Sequence, residues 1–559
     1  MTTILTPVTL WKDFDDTLPL NEVTVSETHC GNAVVRDVFF DGRQTEKGRV
    51  KIYAQYVYPA DKKEFPAVMV LFEAGLAPDM RFVRRFVSKG YGVLCVDYCG
   101  ENGTKKHTYY PEDVDYGNYI RAGRAMYYAE PTARETSWFE WAGVARYAAR
   151  YLSARPEVVS VGAIGLRTGG EILFKVAPYA PISCMISVCA AGWLAYRGIE
   201  KYGDEKQREF DEERHRFIAG IDSQSYAPYV KCPVLLISAI NDKKYNYDRV
   251  FDTYRQINPE VYKAILFSSH GNGLVGMHSL TDIELFLDKY LKDRQVYLST
   301  PISFTVGEDD KGDLIVTGKN DPAGDLVECG YFYTEKVSAF RTRDWTRVLI
   351  KGDEVQGDNL AVAPLGVYTG SDRVLLYTFA HYSNGFSVTS RIQEFNISKR
   401  YNNSSPKCRV IYTADRDELN GFTALNEKRC VADCFADGKS DVWIARGYGG
   451  IEGISSSGEI ISYRVGEPRY EAQEGCSLAL DLYSKEDTEV KITFFKDEEE
   501  QSGYSCVLKL EGGGKWKNFV LDADDFKSES SGTLDSFRGL VSVVFRLGDG
   551  IVLNNVVWL

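Results

Sequence analysis

Residues 161–170 read VGAIGLRTGG, and this stretch decides the fold of the first half of the chain. The apolar run Val161–Ile164 belongs to a predicted buried strand, and a predicted helix covers Gly170–Val176. The glycines between them are typical of a tight strand-to-helix turn in which the helix passes close to its neighbours. The residue that this turn presents at its apex is Arg167.

Strand-like and helix-like segments alternate on both sides of this turn. Short, continuously apolar strands separated by helices indicate a mostly parallel sheet that is covered on both faces. We therefore predict an α/β domain with a doubly wound sheet over residues 1–295, and a cap formed by an insertion near residues 109–134. The predicted strands are Val50–Val57, Ala67–Phe72, Gly92–Val96, Val159–Ile164, Cys184–Val188, Val234–Ser238 and Ala264–Phe267, and the predicted helices are Met80–Lys89, Ser137–Leu152, Gly170–Val176, Tyr247–Gln256 and Thr281–Tyr290.

The second half of the chain has the pattern of an all-β protein. Short apolar runs are separated by Gly, Asn and Asp turns, and helical periodicity almost disappears. The polar segment ISKRYNNSSPK at residues 397–407 predicts a boundary. We therefore predict a β-sandwich domain at 296–400 and a second one at 401–559. The predicted strands are Leu314–Thr317, Val348–Lys351, Val374–Phe379 and Phe386–Ser390, followed by Ser477–Leu482, Glu489–Phe495, Ser505–Leu510, Asn518–Leu521, Val541–Phe545 and Ile551–Trp558.

The first domain resembles the α/β-hydrolase superfamily, in particular its dienelactone-hydrolase-like and acetyl-xylan-esterase-like esterases. The resemblance covers residues 34–291 and rests on the turn described above and on the order of the segments after it. The strand Val234–Ser238 leads to Asp242, at the place where the family keeps its catalytic acid. The next strand leads to His270, where the family keeps its histidine. The resemblance implies an esterase-like hydrolase with Asp242 and His270 as catalytic residues.

Arg167 departs from the family pattern at the position of the nucleophile. A guanidinium is always protonated, so it cannot attack a carbonyl carbon as a serine hydroxyl does. The His-Gly pair that the family uses for its oxyanion hole is replaced by Glu73-Ala74. Thr168 follows the apex directly, but on the family geometry its side chain points elsewhere. The departure predicts that the serine chemistry of the family is altered or lost.

Three interpretations of the elbow follow from this departure. In the first, Arg167 pairs with Asp242 or Glu73 and fills an inactive site. In the second, Arg167 and the helix N-terminus bind a carboxylate or phosphate, with Thr168 and Glu73 as further ligand-binding residues. In the third, Asp242 and His270 serve an active carboxylic-ester hydrolase that uses a non-standard nucleophile.

The end of the chain resembles a carbohydrate-binding jelly roll. The resemblance is carried by the aromatic-led strand Trp516–Leu521, the acidic-aromatic turn Asp524–Phe526 and the Asn-rich strand Leu553–Trp558. It implies a jelly-roll-like last domain and a carbohydrate or acidic-sugar ligand. Sandwiches of this kind either bind sugar or only support a neighbouring domain, and both roles remain open.

Composition excludes several classes of partner. The 66 Lys and Arg against 79 Asp and Glu give a net charge of −13, which argues against nucleic-acid binding by general electrostatics. No apolar run approaches the roughly 20 residues of a membrane-spanning helix, so we predict no membrane association. We predict a small-molecule or carbohydrate ligand, while the sequence does not determine an oligomeric state.

The cysteines and the N-terminus indicate a reduced, cytoplasmic protein. The first 20 residues lack the basic start and apolar core of a secretory signal, and the 12 Cys have no regular spacing. Cys430 and Cys434 have nearly the spacing of a metal-binding pair, but no second pair and no His lie near them in sequence. We therefore predict neither a metal nor a cofactor.

Overall fold

A nine-stranded sheet forms the centre of the α/β region, which is the part of the chain up to residue 292. The structure is a computed structural model that describes residues 4–202, 210–242, 244–268, 278–292, 294–351, 355, 360–425, 442–530 and 532–559. The strands lie in the order β1-β2-β3-β5-β4-β6-β7-β8-β9. They are β1 Val23–Cys30, β2 Ala33–Thr45, β3 Gly48–Pro59, β4 Phe65–Leu71, β5 Gly92–Asp97, β6 Val158–Leu166, β7 Cys184–Val188, β8 Val234–Ala239 and β9 Lys263–Ser268.

The direction of the strands confirms the α/β part of the predicted fold class. Strands β4 to β9 pair in parallel with one another. Strands β1, β2 and β3 are antiparallel to their neighbours. A mixed sheet with a parallel centre is the sheet expected for an α/β-hydrolase domain, and it places the carboxyl ends of β4, β6 and β8 at one common edge.

Helices cover both faces of this sheet. Alternate residues of β4 divide between two cores, since Met69 packs in the core with α3 and α4, and Val70 in the core with α2 and α8. Because helices pack on both faces of the sheet, both sets of side chains of each central strand are buried. This explains why the sequences of these strands are continuous apolar runs. The helices are α1 Pro7–Leu10, α2 Met80–Ser88, α3 Ser137–Ser153, α4 Thr168–Val176, α5 Glu212–Gly220, α6 Ser223–Tyr226, α7 Tyr247–Gln256 and α8 His278–Leu291.

The predicted cap at residues 109–134 consists of short 3₁₀ turns. These turns lie at Glu112–Gly117 and Gly123–Met126, and they pack on the N-terminal half of α3. The indole N–H of Trp138 donates to the carbonyl of Met126, and that of Trp141 donates to the carbonyl of Gly117. Both Trp residues are buried, so they fix the cap to the helix.

The sequence patterns missed five elements of the α/β region, which are the strands β1 and β2, the helix α5 and the four-residue helices α1 and α6. Strand β1 is exposed along nearly its whole length and therefore carries no apolar alternation. Strand β2 contains charged residues on a partly buried edge, and α5 reads EERHRFIAG, with few apolar positions. These elements are fixed by tertiary contacts, which local periodicity does not record.

The middle β region contains two sheets. One has three strands in the order β10-β11-β14, and the other has the order β13-β12-β15-β16, with β17 paired to β15. The strands are β10 Ser303–Glu308, β11 Leu314–Lys319, β12 Leu326–Thr334, β13 Thr346–Lys351, β14 Leu360–Pro364, β15 Arg373–Tyr382, β16 Ser387–Thr389 and β17 Gln393–Asn396.

The C-terminal β region is a sandwich of two sheets around one apolar core. The first sheet has the order β20-β21-β30-β23-β26, with β18 paired to β30, and the second has the order β19-β22-β29-β24-β25-β27-β28. The strands are β18 Val410–Tyr412, β19 Thr423–Ala424, β20 Val442–Arg446, β21 Glu452–Ser456, β22 Glu459–Ser462, β23 Leu478–Ser484, β24 Thr488–Phe495, β25 Gly503–Leu510, β26 Lys515–Leu521, β27 Lys527–Ser528, β28 Gly532–Thr533, β29 Ser542–Arg546 and β30 Val552–Trp558, and a short helix, α9, spans Ala414–Asp417.

The middle β region covers the last strand of the α/β sheet. The Thr389 hydroxyl donates to the carbonyl of Ile265 and accepts from the N–H of Phe267. The backbone N–H of Ser387 donates to the buried carboxyl of Asp282 in α8. The two Thr389 contacts occupy one carbonyl and one N–H at the open edge of β9, and so oppose pairing of this edge with another chain. Within the described ranges, the structure contains no helix long and apolar enough to cross a bilayer.

Candidate functional site

Arg167 stands at the apex of a strained strand-to-helix turn. Its backbone has φ 51° and ψ −111°, a left-handed conformation that is uncommon for a residue with a Cβ. Its N–H donates to the carbonyl of Val188 at 2.8 Å, and α4 begins at the next residue. A Cβ on Gly169 would lie 2.1 Å from the carbonyl oxygen of Leu71 in β4. The elbow predicted from the sequence is therefore present, with Arg167 at its apex.

The Arg167 guanidinium lies between two carboxylates. Its Nη1 donates to Oδ1 of Asp242 at 3.2 Å, and its Nε lies 3.6 Å from Oε2 of Glu73. Only 13% of the Arg167 side chain is exposed. Burial disfavours the positive charge, but the attraction of Asp242 and Glu73 outweighs it, and the pKa of Arg167 is raised above its ordinary value. The first of the three interpretations, an internal ion pair, describes this contact.

Asp242 follows β8 and is almost fully buried. Its Oδ1 also accepts hydrogen bonds from the backbone N–H groups of Lys244 at 2.8 Å and Tyr245 at 3.1 Å. Its Oδ2 is buried and has no hydrogen-bond partner among the described residues. A buried carboxylate oxygen without a donor is costly, so a further donor at this position would stabilise the site.

Lys244 adds a second cation that the sequence reasoning missed. Its ammonium group donates to Oε1 of Glu73 in a short contact, and its side chain is 60% exposed. Glu73 therefore serves both Lys244 and Arg167, and together with Asp242 the cluster has two positive and two negative groups. The only sequence signal for Lys244 is its position two residues after Asp242.

Thr168, the first residue of α4, is buried beneath the cluster. Its side chain forms a hydrogen bond with the hydroxyl of Tyr245, and burial raises the pKa of Tyr245 above its ordinary value. Thr168 therefore lies at the site as predicted, but its hydroxyl faces a neutral phenol, and no base that would activate it contacts it in the described part of the chain. The predicted catalytic His270 lies outside the described residues, as do Cys430 and Cys434.

A strained loop after β7 forms another wall of the site. Cys189, Ala191 and Trp193 all have left-handed backbone torsions, with φ of 49°, 64° and 59°. The N–H of Ala191 donates to the carboxylate of Glu171 at 2.5 Å, and its carbonyl accepts from the hydroxyl of Thr253 at 2.8 Å. Such strain persists only where the surroundings determine the conformation, and here two buried side chains hold the loop.

A group of buried charges lies behind α4. Burial lowers the pKa of Lys175 to about 8, and burial together with the nearby charge of Glu171 raises the pKa of Asp222 to about 6. The Lys175 ammonium donates to the carbonyl of Glu171 at 3.0 Å and lies 5.2 Å from the ring centre of Trp138. The Asp222 carboxylate accepts from the N–H of Ala195 at 3.1 Å. These groups connect the elbow helix with the segment that continues the strained loop.

A cleft of about 600 Å³ opens beside the cluster. Trp193 and Lys244 line it from the α/β region, Phe340 and Arg341 from the middle β region, and Glu499 from the C-terminal β region. This volume is within the range of small-molecule sites in proteins. All three regions of the chain therefore contribute to the wall of this cleft, and Lys244 connects the cleft with the charged cluster around Arg167.

Comparisons with known proteins find similar solved structures but no similar family model or curated protein. No protein-family model and no curated protein matches the chain. Acetyl xylan esterase 1 from Thermoanaerobacterium sp. JW/SL YS485 is 18% identical, over 51% of this chain and 92% of that one, with a TM-score of 0.40. The acetyl xylan esterase from Paenibacillus sp. R4 is 15% identical, over 50% and 92%, with a TM-score of 0.41.

A third solved structure, Est1E from Butyrivibrio proteoclasticus with ferulic acid bound, is 14% identical. It covers 40% of this chain and 87% of that one, with a TM-score of 0.29. At these identities and TM-scores the likeness carries no argument about activity or substrate. What the site does chemically therefore follows from its own residues.

The arrangement at the elbow suits binding better than nucleophilic attack. The apex presents a permanent cation with no lone pair to donate, and the carboxylates next to it hold that cation in place. Nη2 of Arg167 makes no hydrogen bond within the described part of the chain. An anion that reaches the apex would therefore meet a positioned donor in Arg167.

Proposed function

We propose that the elbow site binds an acidic sugar through Arg167 and does not hydrolyse esters by the serine route. The observation that carries the proposal is the guanidinium at the strained apex, where hydrolases of this fold place a serine. The attack on an acyl carbon needs a nucleophile with a lone pair, and an arginine does not supply one. In this proposal, the residue at the apex binds the ligand and forms no covalent bond with it.

The contacts of Arg167 favour a carboxylate ligand. A carboxylate binds best to two parallel N–H groups, and Nε with Nη2 forms such an edge of the guanidinium. Nη1 is the atom that donates to Asp242, whereas the 3.6 Å separation between Nε and Glu73 is longer than a hydrogen bond. Glu73 is held closely by Lys244 instead. The bidentate edge of Arg167 is therefore the less occupied one.

The sugar character of the ligand is supported by the C-terminal β region, which we propose to be a jelly-roll-like carbohydrate-binding unit. On one sheet of its sandwich, the rings of Tyr483 and Trp516 lie 5.6 Å apart. Beside them, the amides of Asn518 and Asn555 both donate to the carboxylate of Asp481, at 2.9 and 2.6 Å. Tyr483 is buried and Trp516 is partly exposed, so Trp516 next to this polar row supplies the apolar contact that a sugar ring needs beside its hydrogen bonds.

Calorimetry on the full chain tests this proposal. Galacturonate and glucuronate are titrated against their neutral counterparts galactose and glucose, in the wild type, in Arg167→Ala and in the control variant Arg294→Ala. Arg294 also pairs with a carboxylate, that of Asp288, but its side chain is 60% exposed, and Asp288 contacts Tyr91 just before β5, at the sheet edge opposite to the elbow. We expect the acidic sugars to bind about tenfold more tightly or better, and Arg167→Ala alone to remove that preference.

Two results would oppose the proposal. Equal affinity for acidic and neutral sugars in the wild type would show that Arg167 does not select a carboxylate. Absent binding across the series, unchanged by Arg167→Ala, would leave the internal ion pair with Asp242 and Glu73 as the whole role of the residue.

A second candidate function is an ester hydrolase that uses Asp242 and His270 with another nucleophile. The observation that favours it is Oδ2 of Asp242, which is buried and has no donor among the described residues. In hydrolases of this fold a histidine occupies that position and the acid orients it. Turnover of acetylated sugars that is lost in His270→Ala and retained in Arg167→Ala would support this second function.

A further inference from the structure

We propose a second anion-binding site, located between the middle and C-terminal β regions, that takes a phosphate or sulfate group. A cleft of about 470 Å³ lies at this junction. Its wall carries five cationic side chains and one carboxylate, which are Arg347, Lys407, Arg416, Arg464, Arg469 and Asp417. The site lies in the β regions and is independent of the elbow function proposed above.

Arg464 forms the buried part of this wall. Its side chain is only 2% exposed, its Nη1 donates to the carbonyl of Ile411 at 2.8 Å and lies 3.1 Å from Asp417, and its Nε donates to Asp344 of the middle β region at 3.3 Å. The guanidinium lies 5.4 Å from the ring centre of Tyr470 and packs against Gly421. Nη2 makes no hydrogen bond with the described residues, so a charged donor remains for a ligand in the cleft.

Gly421 has the conformation and the space that this arrangement requires. Its φ is 90°, and a Cβ there would lie 2.5 Å from the central carbon of the Arg464 guanidinium. Only a glycine therefore lets the guanidinium rest against the backbone at this point. The packing fixes the direction of the charge before any ligand arrives, which reduces the entropy cost of binding.

Arg469 supplies a second positioned cation from the same segment. Its Nη1 donates to the hydroxyl of Tyr333 at 3.1 Å, and its Nη2 donates to Glu335 at 3.1 Å and to the carbonyl of Gly366. Its Nε is buried and has no acceptor among the residues that the structure describes. The two arginines thus reach from the C-terminal β region into the middle β region.

Among the remaining cations, Arg416 pairs with Asp417 of the wall, and the other two pair with acids outside it. Arg347 pairs with Glu328 at 2.8 Å, and Lys407 pairs with Glu471 at 2.9 Å. Neither acid lines the cleft, so the surface that a ligand meets is mostly positive. A concave wall of one sign focuses its field into the cleft. A tetrahedral oxyanion, which accepts from several N–H groups at once, fits such a wall better than a neutral molecule does.

Calorimetry with inorganic phosphate and inorganic sulfate on the full chain tests the site, in a buffer that contains neither and at ionic strength matched with chloride. The double variant Arg347→Gln/Lys407→Gln removes two cations at the rim and leaves the buried Arg464 and Arg469 in place. The matched control is Arg373→Gln/Lys399→Gln, since these two residues also pair with glutamates of the middle β region but do not line the cleft.

We expect saturable binding of one anion per chain, weakened at least about tenfold in the cleft variant and unchanged in the control. Tighter binding of phosphate assigns a phosphate ester as the ligand class, and tighter binding of sulfate assigns a sulfate ester. No saturable binding of either anion, or an equal loss in both double variants, overturns the proposal. A Gly421→Ala variant that binds as tightly as the wild type would overturn the role given to Arg464.

Discussion

At the scale of single residues, the site depends on where charge is buried. Arg167 keeps its charge because Asp242 and Glu73 lie close enough to outweigh burial, and with Lys244 on Glu73 the cluster has no net formal charge. Behind the elbow, the carboxyl group of Asp222 is also buried, but the main charge acting on it is the negative charge of Glu171. Burial and this charge both raise the pKa of Asp222. The pH dependence of stability follows from this difference.

We expect the Asp222→Asn variant to gain stability over the wild type as the pH rises. The pKa of Asp222 is raised to about 6 in the fold, so the group contributes stability that is complete below its ordinary pKa near 3.8 and is lost as the pH rises through 6. An asparagine does not ionise, so the variant does not lose this stability as the pH rises. Its amide oxygen can still accept the hydrogen bond from the N–H of Ala195. The difference in free energy of unfolding between variant and wild type should therefore grow by up to about 3 kcal/mol between pH 4 and 7.

Guanidinium-chloride unfolding at several pH values measures this difference. The pH range stays below the pKa of about 8 to which burial lowers Lys175, the nearby cation that acts on Asp222. A difference between variant and wild type that is constant from pH 4 to 7 would contradict the account.

At the scale of secondary-structure elements, the elbow depends on the close approach of α4 to the sheet. Gly165 and Gly169 lie at the contact, and a Cβ on Gly165 would lie 2.4 Å from the carbonyl oxygen of Gly169. The approach places the start of α4 beside the ends of β4 and β8, which carry Glu73 and Asp242. The close packing of α4 on the sheet therefore brings Arg167 next to Glu73 and Asp242.

We expect Gly169→Ala to destabilise the protein by at least about 2 kcal/mol, because its methyl group would meet the backbone of β4 at 2.1 Å and backbone cannot move aside easily. Gly307→Ala in β10 is the matched control, since a Cβ there meets nothing within 4 Å, and its effect should stay within about 0.5 kcal/mol. Chemical denaturation of both variants measures the two values. Equal stability of the two variants would show that the close approach is not needed.

The elements that the sequence predicted are those with a strong local pattern. Strand β7 and helix α7 begin and end at the predicted residues, Cys184–Val188 and Tyr247–Gln256, because one is a continuous apolar run and the other is amphipathic. The exposed strand β1 and the charged helix α5 carry no such pattern and were missed. Periodicity detects burial along one element, but it does not detect elements whose place is fixed by distant contacts.

For the site, sequence order predicted which residues meet but not how they pair. The positions of Arg167, Glu73 and Asp242 at strand ends were enough to place them together at one edge of the sheet. The contact of Lys244 with Glu73 depends on the conformation of a loop, and the strain at Ala191 depends on buried partners from α4 and α7. Neither has a signature in the sequence.

At the scale of the whole molecule, the three regions share surfaces that none of them buries alone. Arg343 of the middle β region is 1% exposed and holds Asp248 of α7 with two hydrogen bonds, of 2.8 and 2.9 Å. The ring of Phe267 in β9 packs against Tyr377 of β15 at 5.4 Å. Because a buried ion pair and a buried aromatic contact cross this boundary, we infer that the α/β region and the middle β region stabilise each other.

We expect a chain cut after residue 295 to expose apolar surface, because the cover of β9 and α8 would be removed with the middle β region. Binding of a hydrophobic dye measures this exposure. A chain cut after residue 407 keeps that cover and serves as the comparison. If the shorter chain unfolds cooperatively and binds no more dye than the longer one, the α/β region folds without the middle β region. That result would contradict the expected exposure of β9 and α8.

Reaction with a fluorophosphonate tests whether Arg167 has replaced the nucleophile of the elbow. The full chain is incubated with excess probe beside an active serine hydrolase as positive control, and its intact mass is measured before and after. The account predicts an unchanged mass for this protein, because the apex offers no hydroxyl and Thr168 faces the hydroxyl of Tyr245. A stoichiometric adduct, mapped by peptide analysis to a Ser or Thr of the α/β region, would contradict it.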